Sequence, residues 1–315
     1  MTDTPFTPSS VPDKKISRLA TERWENEGGA TCTGHASPMA NTLSKSGVLA
    51  TESTPATERF TDEVILALRY WTPSLLSFRT SRAPDFRFTP GHYARLGLSD
   101  TNDGVVWRPF SVVSSIDDSH LEFFAVLVPG GAFSSLLSNI RLGDTIRVDK
   151  ASYGFMTIDQ LAPGKDLWLL ASGTGLGPFL SILRDPSTWQ RHDNLVLVHT
   201  VRHADELAYR DEIAAIPHEP LLTASSAKMR YVPVVTRESW PGALTARIPQ
   251  LIEDGRLEQA AGVKLDPQRS RVMVCGNPEM ARELRGQLMA RGFRTTRRAV
   301  PGQLAFENYW QSKPS

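Results

Sequence analysis

Cysteine is nearly missing from this 315-residue chain, which has only Cys32 and Cys275. They form no CxxC pair and no disulfide framework, which points to a reducing, cytosolic setting. Two thiols are also too few for an iron–sulfur cluster, which normally takes about four cysteine ligands. The seven histidines are scattered. His199 and His203 fall at the end of a strand-like run and not on one helix face, so no metal site is expected. An excess of charge is absent as well. The chain has 35 Lys and Arg against 34 Asp and Glu, a formal net charge of +1. That argues against a general nucleic-acid or membrane binder, though not against a local basic patch. Apolar runs such as Val64–Leu68 and Leu167–Ala171 fall far short of the roughly 18 residues of a spanning helix. The first residues lack a basic start leading into an apolar stretch, so no secretory signal is expected.

What is present divides into three parts. Residues 1–57 hold 17 Ser and Thr but only six Val, Ile and Leu. Such a segment buries too little apolar surface to offset its ordering entropy, and a disordered tail is expected. From 58 to 161 short β-rich stretches alternate with Gly, Pro, Asp and Ser. The expected strands are Val64–Tyr70, Leu75–Arg79, His92–Leu98, Phe110–Ser114, Leu121–Val128 and Thr145–Val148, with a helix over Ala132–Ile140. That density of strands predicts an antiparallel barrel or sandwich. From 162 to 315 strands alternate with helices. Strands are expected at Leu167–Ala171, Asn194–Arg202, Tyr231–Thr236 and Arg271–Cys275. Helices are expected from Pro178, from about Asp205, over Ile248–Leu257 and over Pro278–Arg291. This alternation predicts a parallel-sheet α/β unit.

The run Gly173-Thr174-Gly175-Leu176-Gly177-Pro178 follows a buried strand and opens a helix, the context of a phosphate-binding turn. Its third glycine falls one place early for the dinucleotide fingerprint, and a plain tight turn would use the same residues. Arg108-Pro109-Phe110-Ser111 combines a guanidinium for phosphate, a ring face for stacking and a hydroxyl. By itself it also reads as an edge strand. Gly130-Gly131-Ala132-Phe133-Ser134-Ser135 is a turn entering a helix, either an anion site or an ordinary capped turn. Cys275-Gly276 ends a parallel strand, where ligands of open α/β sheets bind, although a buried structural thiol is the commoner fate. Arg202, Arg237 and Arg247 stand at or just beyond α/β strands, as phosphate forks or as solvated charge. Arg294, Arg297 and Arg298 fall outside the polar pattern of the preceding helix and suit an acidic partner. Glu307 and Trp310 belong to a terminal aromatic cluster.

Taken together and in this order, these segments resemble the bacterial ferredoxin–NADP(+) reductases, also called flavodoxin reductases. The resemblance covers roughly Phe60 to Trp310 and includes Phe88–Tyr93, Arg108–Ser111, Leu121–Ser135, Leu170–Ile182, Asn194–Arg202, Val234–Glu238, Leu244–Glu253, Val272–Met280 and Glu307–Trp310. It implies an FAD-binding β-barrel followed by an NADP-binding α/β domain. It implies a monomer that moves electrons between NADPH and a separate ferredoxin or flavodoxin. Arg108, Pro109, Phe110, Ser111, the backbone of Ala132, Phe133, Ser134 and Ser135, and Trp310 are then expected to hold FAD. Gly173, Thr174, Gly175, Arg202, Arg237, Arg247, Cys275 and Gly276 are expected to hold NADP(H), with the three arginines on the 2′-phosphate. Cys275, Ser111 and Glu307 would stand at the reacting rings, and Arg294, Arg297 and Arg298 would dock the carrier. Phe110 replaces the Tyr commoner in the family, His92 replaces Gln, and five residues follow Trp310. The alternatives are an NAD(P)H-dependent flavin, quinone or oxygenase-component reductase on the same fold, or a module that has lost its flavin.

Overall fold

The computed structural model describes residues 59–100, 104–297 and 300–308. The expected tail at 1–57 lies outside them, as do Arg298 and Trp310.

Six antiparallel strands come first: β1 (Phe60–Thr72), β2 (Leu75–Ser81), β3 (Tyr93–Ser99), β4 (Val105–Ser111), β5 (His120–Val126) and β6 (Thr145–Tyr153). Helix α1 (Ala132–Leu137) lies between β5 and β6. The sheet order is β4-β3-β6-β1-β2-β5. The two ends of that order meet where Val112, just past β4, bridges Phe123 of β5. This closes the sheet into a barrel and removes its open edges. Alternation puts Leu76 and Phe78 of β2, Leu96 of β3, Phe123 of β5 and Ile146 of β6 inside, all with 1% exposure or less. Strand β4 begins five residues before its expected start. Its Val105-Val106-Trp107 stretch is half-buried on both faces, which blurs the alternation a half-buried strand normally shows.

The second unit is a five-stranded parallel sheet. Its strands are β7 (Asp166–Ser172), β8 (Asn194–Val201), β9 (Lys228–Val235), β10 (Ser270–Gly276) and β11 (Leu304–Asn308), in the order β11-β10-β7-β8-β9. Every residue of β10 and all but the last of β7 are buried, as expected where helices cover both faces. The helices are α2 (Gly177–Leu183), α3 (Pro186–Arg191), α4 (Arg210–Ala215), α5 (Ile248–Glu253), α6 (Arg256–Ala261) and α7 (Pro278–Ala290). In α7, Asn277 caps the first turn by accepting from the backbone of Glu279 and Met280. Met280, Ala281, Leu284 and Leu288 form the buried stripe. One helix was expected over Ile248–Leu257. The chain instead breaks at Gly255, where φ is +79°, and restarts as α6.

The chain runs from β7 outward to β8 and β9, then returns to place β10 on the other side of β7. The strand order therefore reverses between β7 and β10. In open α/β sheets the crevice at such a point, at the carboxyl ends of the strands, is where ligands bind. Among the described residues no helix is long and apolar enough to cross a membrane.

Candidate functional site

The glycine run follows β7 as a 3-10 turn (Gly173–Leu176) leading into α2. Each of its glycines meets something different. Gly173 has φ +53° and open space where a Cβ would lie. A Cβ on Gly175 would overlap the carbonyl of Cys275. Gly177 packs over the end of the barrel strand, its notional Cβ 3.5 Å from Val113 and 3.7 Å from Ser111. On the β10 side, a Cβ on Gly276 would overlap Ser172. The Ser172 hydroxyl accepts from the backbone N–H of Asn277 at 2.7 Å. The glycines thus let the β7 turn, the β10 turn and the end of β4 come within contact of one another.

Above this junction lies a cleft of about 460 Å³ between the two units. Its walls include Gly173, Thr174, Arg202, Arg237 and Arg247 from the α/β unit, and Ser74, Leu75, Val126 and Pro129 from the barrel. The structure therefore brings together three arginines that lie up to 45 positions apart in the sequence. Their loops are laced. The Arg237 N–H donates to the Arg202 carbonyl at 2.9 Å, and the Ala204 N–H donates to the Glu238 carboxylate at 2.6 Å. Glu206 was not anticipated. Its carboxylate accepts the backbone N–H groups of Arg202 (3.0 Å) and His203 (3.1 Å), which fixes the loop that carries Arg202. His203 and Glu206 have capping-box spacing, but histidine is not a usual first residue of that motif, so the sequence carried no clear signal for it. Arg247 is ion-paired with Glu283 of α7.

Cys275 is fully buried on β10, beneath the glycine turn. The expectation that Cys275 stands at the ligand-binding end of the strand is corrected to that extent: its side chain belongs to the buried apolar cluster with Ala171, Leu176 and Met273. Glu307 of β11 pairs in register with Cys275. Burial pushes its carboxyl up to about 7. Ser111 closes β4 with 6% exposure.

On the barrel, Phe110 lies 5.2 Å from Phe133, ring centre to ring centre, and meets Phe78 edge-on at 6.4 Å. The Arg108–Ser111 strand and the Ala132–Ser135 helix are therefore neighbours. The Phe133 side chain is core, with 4% exposure. The Ser134 hydroxyl accepts from the backbone of Val128 at 2.9 Å. These two side chains are spoken for, and this segment offers a ligand mainly its backbone and Ser135. Pro109 is exposed, and Arg108 is half-buried. His92 faces the Ser152 hydroxyl at 3.0 Å. Arg294 and Arg297 are exposed on the segment before β11.

Tyr209 was also missed. It is the only non-glycine described residue with positive φ (+61°), and it lies at the joint between the units. Its ring packs 4.8 Å from Trp71 and 5.1 Å from Phe124. Its hydroxyl donates to the buried Glu122 carboxylate of β5 at 2.8 Å, and Arg79 donates to the same carboxylate at 3.0 Å. Burial and the Glu122 charge raise the phenol well above its ordinary value, so it stays a neutral donor.

A closed antiparallel barrel, joined through an arginine-lined cleft to a parallel α/β sheet, defines a flavin- and nicotinamide-dependent oxidoreductase of two units. Two family models agree: an oxidoreductase FAD-binding domain matches residues 71–157, and an oxidoreductase NAD-binding domain matches residues 169–286. The chain is 40% identical to ferredoxin–NADP reductase A of Sorangium cellulosum, over 79% of this chain and 89% of the relative. It is 38% identical to the flavodoxin/ferredoxin–NADP reductase of Escherichia coli, over 78% and 97%. A crystal structure of a ferredoxin–NADP(+) reductase from Neisseria gonorrhoeae with bound FAD and NADP superimposes with a TM-score of 0.74. That structure is 39% identical and is covered in full by 80% of this chain. The chain belongs to the ferredoxin/flavodoxin–NADP reductase family.

Proposed function

We propose that the protein moves electrons between NADPH and a one-electron carrier, a ferredoxin or flavodoxin, with FAD held by residues 58–161 and NADP(H) by residues 162–315. The observation that carries this reading is the junction itself. The glycine turn at the nucleotide cleft packs directly on Ser111, the last residue of the strand that bears Arg108 and Phe110.

The residues present fit both groups. Three guanidinium groups of one sign in one cleft suit a 2′-phosphate, which NADP(H) has and NAD(H) lacks. The open space at Gly173 leaves room for a pyrophosphate or a nicotinamide against the backbone. Phe110 is half-buried against Phe78 and Phe133, which leaves ring surface for stacking, and losing the hydroxyl of Tyr leaves that stacking intact. When bound, the two cofactors supply two-electron exchange with each other and single electrons to the carrier. The protein's own residues bind and orient. Arg108 and the backbone of Ala132–Ser135 would hold the FAD pyrophosphate. The arginine cleft would fix the adenosine end of NADPH. Gly173, Thr174, Gly175 and Gly276 would seat its other end above Cys275. Glu307 would hold a proton at its carboxyl up to about pH 7 beside that seat.

The carrier is a separate protein in this reading, because two cysteines cannot hold a cluster. Exposed Arg294 and Arg297, together with Arg298, would meet its acidic face. We also place the enzyme in the cytoplasm, the compartment its scarcity of cysteine favours. An anaerobic absorption spectrum tests the proposal. A yellow protein bleached by NADPH and recoloured by oxidised flavodoxin or ferredoxin is expected. A colourless protein that takes up no FAD would overturn it.

A further inference from the structure

Residues 202–209 join β8 to α4, and the two ends of this loop are held by different units. Arg202 opens the loop at the cleft. This end is held within the α/β unit. Glu206 accepts the Arg202 and His203 N–H groups, and the Arg202 carbonyl accepts the Arg237 N–H. Leu207 is buried with Val201 and Val235, at the ends of β8 and β9.

The other end is held by the barrel. The Tyr209 side chain is buried against Trp71 of β1 and Phe124 of β5. Its hydroxyl donates to Glu122 of β5. Ala208 is buried in the same cluster as Leu75 and Phe124. Three residues on, Glu212 of α4 is ion-paired with Arg69 of β1, whose guanidinium lies 3.5 Å from the Trp71 ring centre. A tyrosine at φ +61° carries steric strain that glycine does not, and such strain persists only where the surroundings impose it. Here the barrel imposes it. Backbone strain of this kind collects at functional sites.

The strand that receives Tyr209 leads to both cofactor regions. Val126, two residues past Phe124 on β5, pairs with Leu75 of β2, and both line the cleft. Phe123, beside Phe124, bridges Val112, which follows Ser111. Strand β5 is therefore a wall of the cleft and also closes against the Arg108–Ser111 strand. The units touch again at the glycine turn, where Gly177 packs over Val113 and Ser111. A contact at one place leaves one unit free to rotate on the other. Tyr209 supplies a second contact, at the arginine end.

We infer that Tyr209 is a positioning residue for electron transfer between the two cofactors: by anchoring the arginine loop on the barrel, it sets where a nucleotide held by that loop stands relative to the flavin-binding strand. The inference rests on the reading that NADP(H) occupies the cleft and FAD the barrel. The step it serves moves a hydride, one proton with two electrons, from NADPH to the flavin and leaves NADP(+). Tyr209 is buried outside the cleft and acts only through the loop it anchors. The grip on a 2′-phosphate depends on bonds inside the α/β unit and should survive the loss of Tyr209. The approach of the nicotinamide to the flavin should not, because a displacement of order 1 Å between reacting groups costs up to about a hundredfold in rate.

The test compares the FAD-loaded parent with Tyr209→Gly and Tyr209→Phe, by calorimetric binding of 2′-phospho-AMP and by rapid anaerobic mixing with saturating NADPH. Glycine adopts φ +61° without strain, so Tyr209→Gly removes the ring and hydroxyl and leaves the loop its conformation. Tyr209→Phe removes only the bond to Glu122. Affinity for 2′-phospho-AMP should stay within about twofold of the parent in both variants. The limiting rate of flavin bleaching should fall at least about tenfold in Tyr209→Gly and about threefold in Tyr209→Phe. A merely structural role would lower the melting temperature and the fraction bleached, and leave the limiting rate of the folded fraction unchanged. The parent's limiting rate in Tyr209→Gly would overturn the inference, as would a loss of 2′-phospho-AMP affinity in step with the rate. If Tyr209→Gly does not accumulate as folded, FAD-loaded protein, Tyr209→Phe decides by the same two readouts. A parent that binds 2′-phospho-AMP but is not bleached by NADPH would overturn the placement of the flavin. A parent that does neither would overturn the functional reading, and the inference with it.

Discussion

Cys275 and Glu307 occupy the same rung of adjacent parallel strands, β10 and β11, directly behind the glycine turn. The thiol is fully buried, and the carboxyl is held protonated toward neutrality by its own burial. A proton-holding group and a soft, polarisable sulfur therefore lie side by side next to the point, between β7 and β10, where the sheet reverses its strand order.

The raised Glu307 carboxyl makes a signed prediction about pH. The native state keeps this proton up to about 7, whereas an unfolded chain releases it near 4.5. Between those values the native state binds more protons, so this group's contribution to stability falls as pH rises from about 4.5 to about 7 and is level above. In Glu307→Gln that decline should disappear from urea midpoints measured across pH 5 to 8. If the proton also serves turnover, the parent's activity should fall through about pH 7 and the variant's pH profile should be flat.

Tyr209→Phe should weaken the joint between the units. The buried Glu122 carboxylate would keep Arg79 and lose the Tyr209 donor, a cost of about 1–3 kcal/mol. A thermal melt should show it as a drop of several degrees with FAD content unchanged. An unchanged melting temperature would mean that Glu122 needs only Arg79.

Two glycines of one turn should answer differently to the same change. Gly175→Ala drives a methyl group into the Cys275 carbonyl and should cost roughly 2 kcal/mol or more, with loss of nucleotide binding. Gly177→Ala meets Val113 and Ser111 at 3.5 and 3.7 Å, ordinary contact, and should be near neutral. Denaturant midpoints of the two variants provide the comparison.

Arg297→Glu should slow reduction of an acidic carrier and reduce its dependence on salt, while electron transfer to a small neutral acceptor is unchanged. Unchanged carrier kinetics would place the docking face elsewhere.

The sequence carried some of these features and hid others, for physical reasons. Strand β7 and its turn were legible because a fully buried parallel strand is an unbroken apolar run and the turn needs its glycines. Arg202 and Arg237 were legible as strand-end residues, whereas Arg247 caps helix α5, and only folding shows that the three share one cleft. Strand β11 was read as a terminal aromatic cluster because Leu304–Asn308 is short, and its strand character comes from pairing with β10. A helix was expected from about Asp205. The structure has a 3-10 turn at Ala204–Glu206 and then Tyr209 in the left-handed region, held there by Trp71, Phe124 and Glu122 from the barrel. No local pattern announces a conformation imposed by a distant partner.

In the proposed function the arginine cleft reads the 2′-phosphate of NADPH and delivers the nucleotide to a flavin on the barrel. Rapid anaerobic mixing with NADPH and with NADH, for the parent and for the triple Arg202→Ala, Arg237→Ala, Arg247→Ala variant, tests it most directly. Each charge-assisted contact is worth about 1.5–3 kcal/mol, so NADPH should outperform NADH by at least about a hundredfold in the parent. In the variant the ratio should collapse toward one, with the flavin still bound. Equal bleaching of the parent by NADH and NADPH would contradict the account.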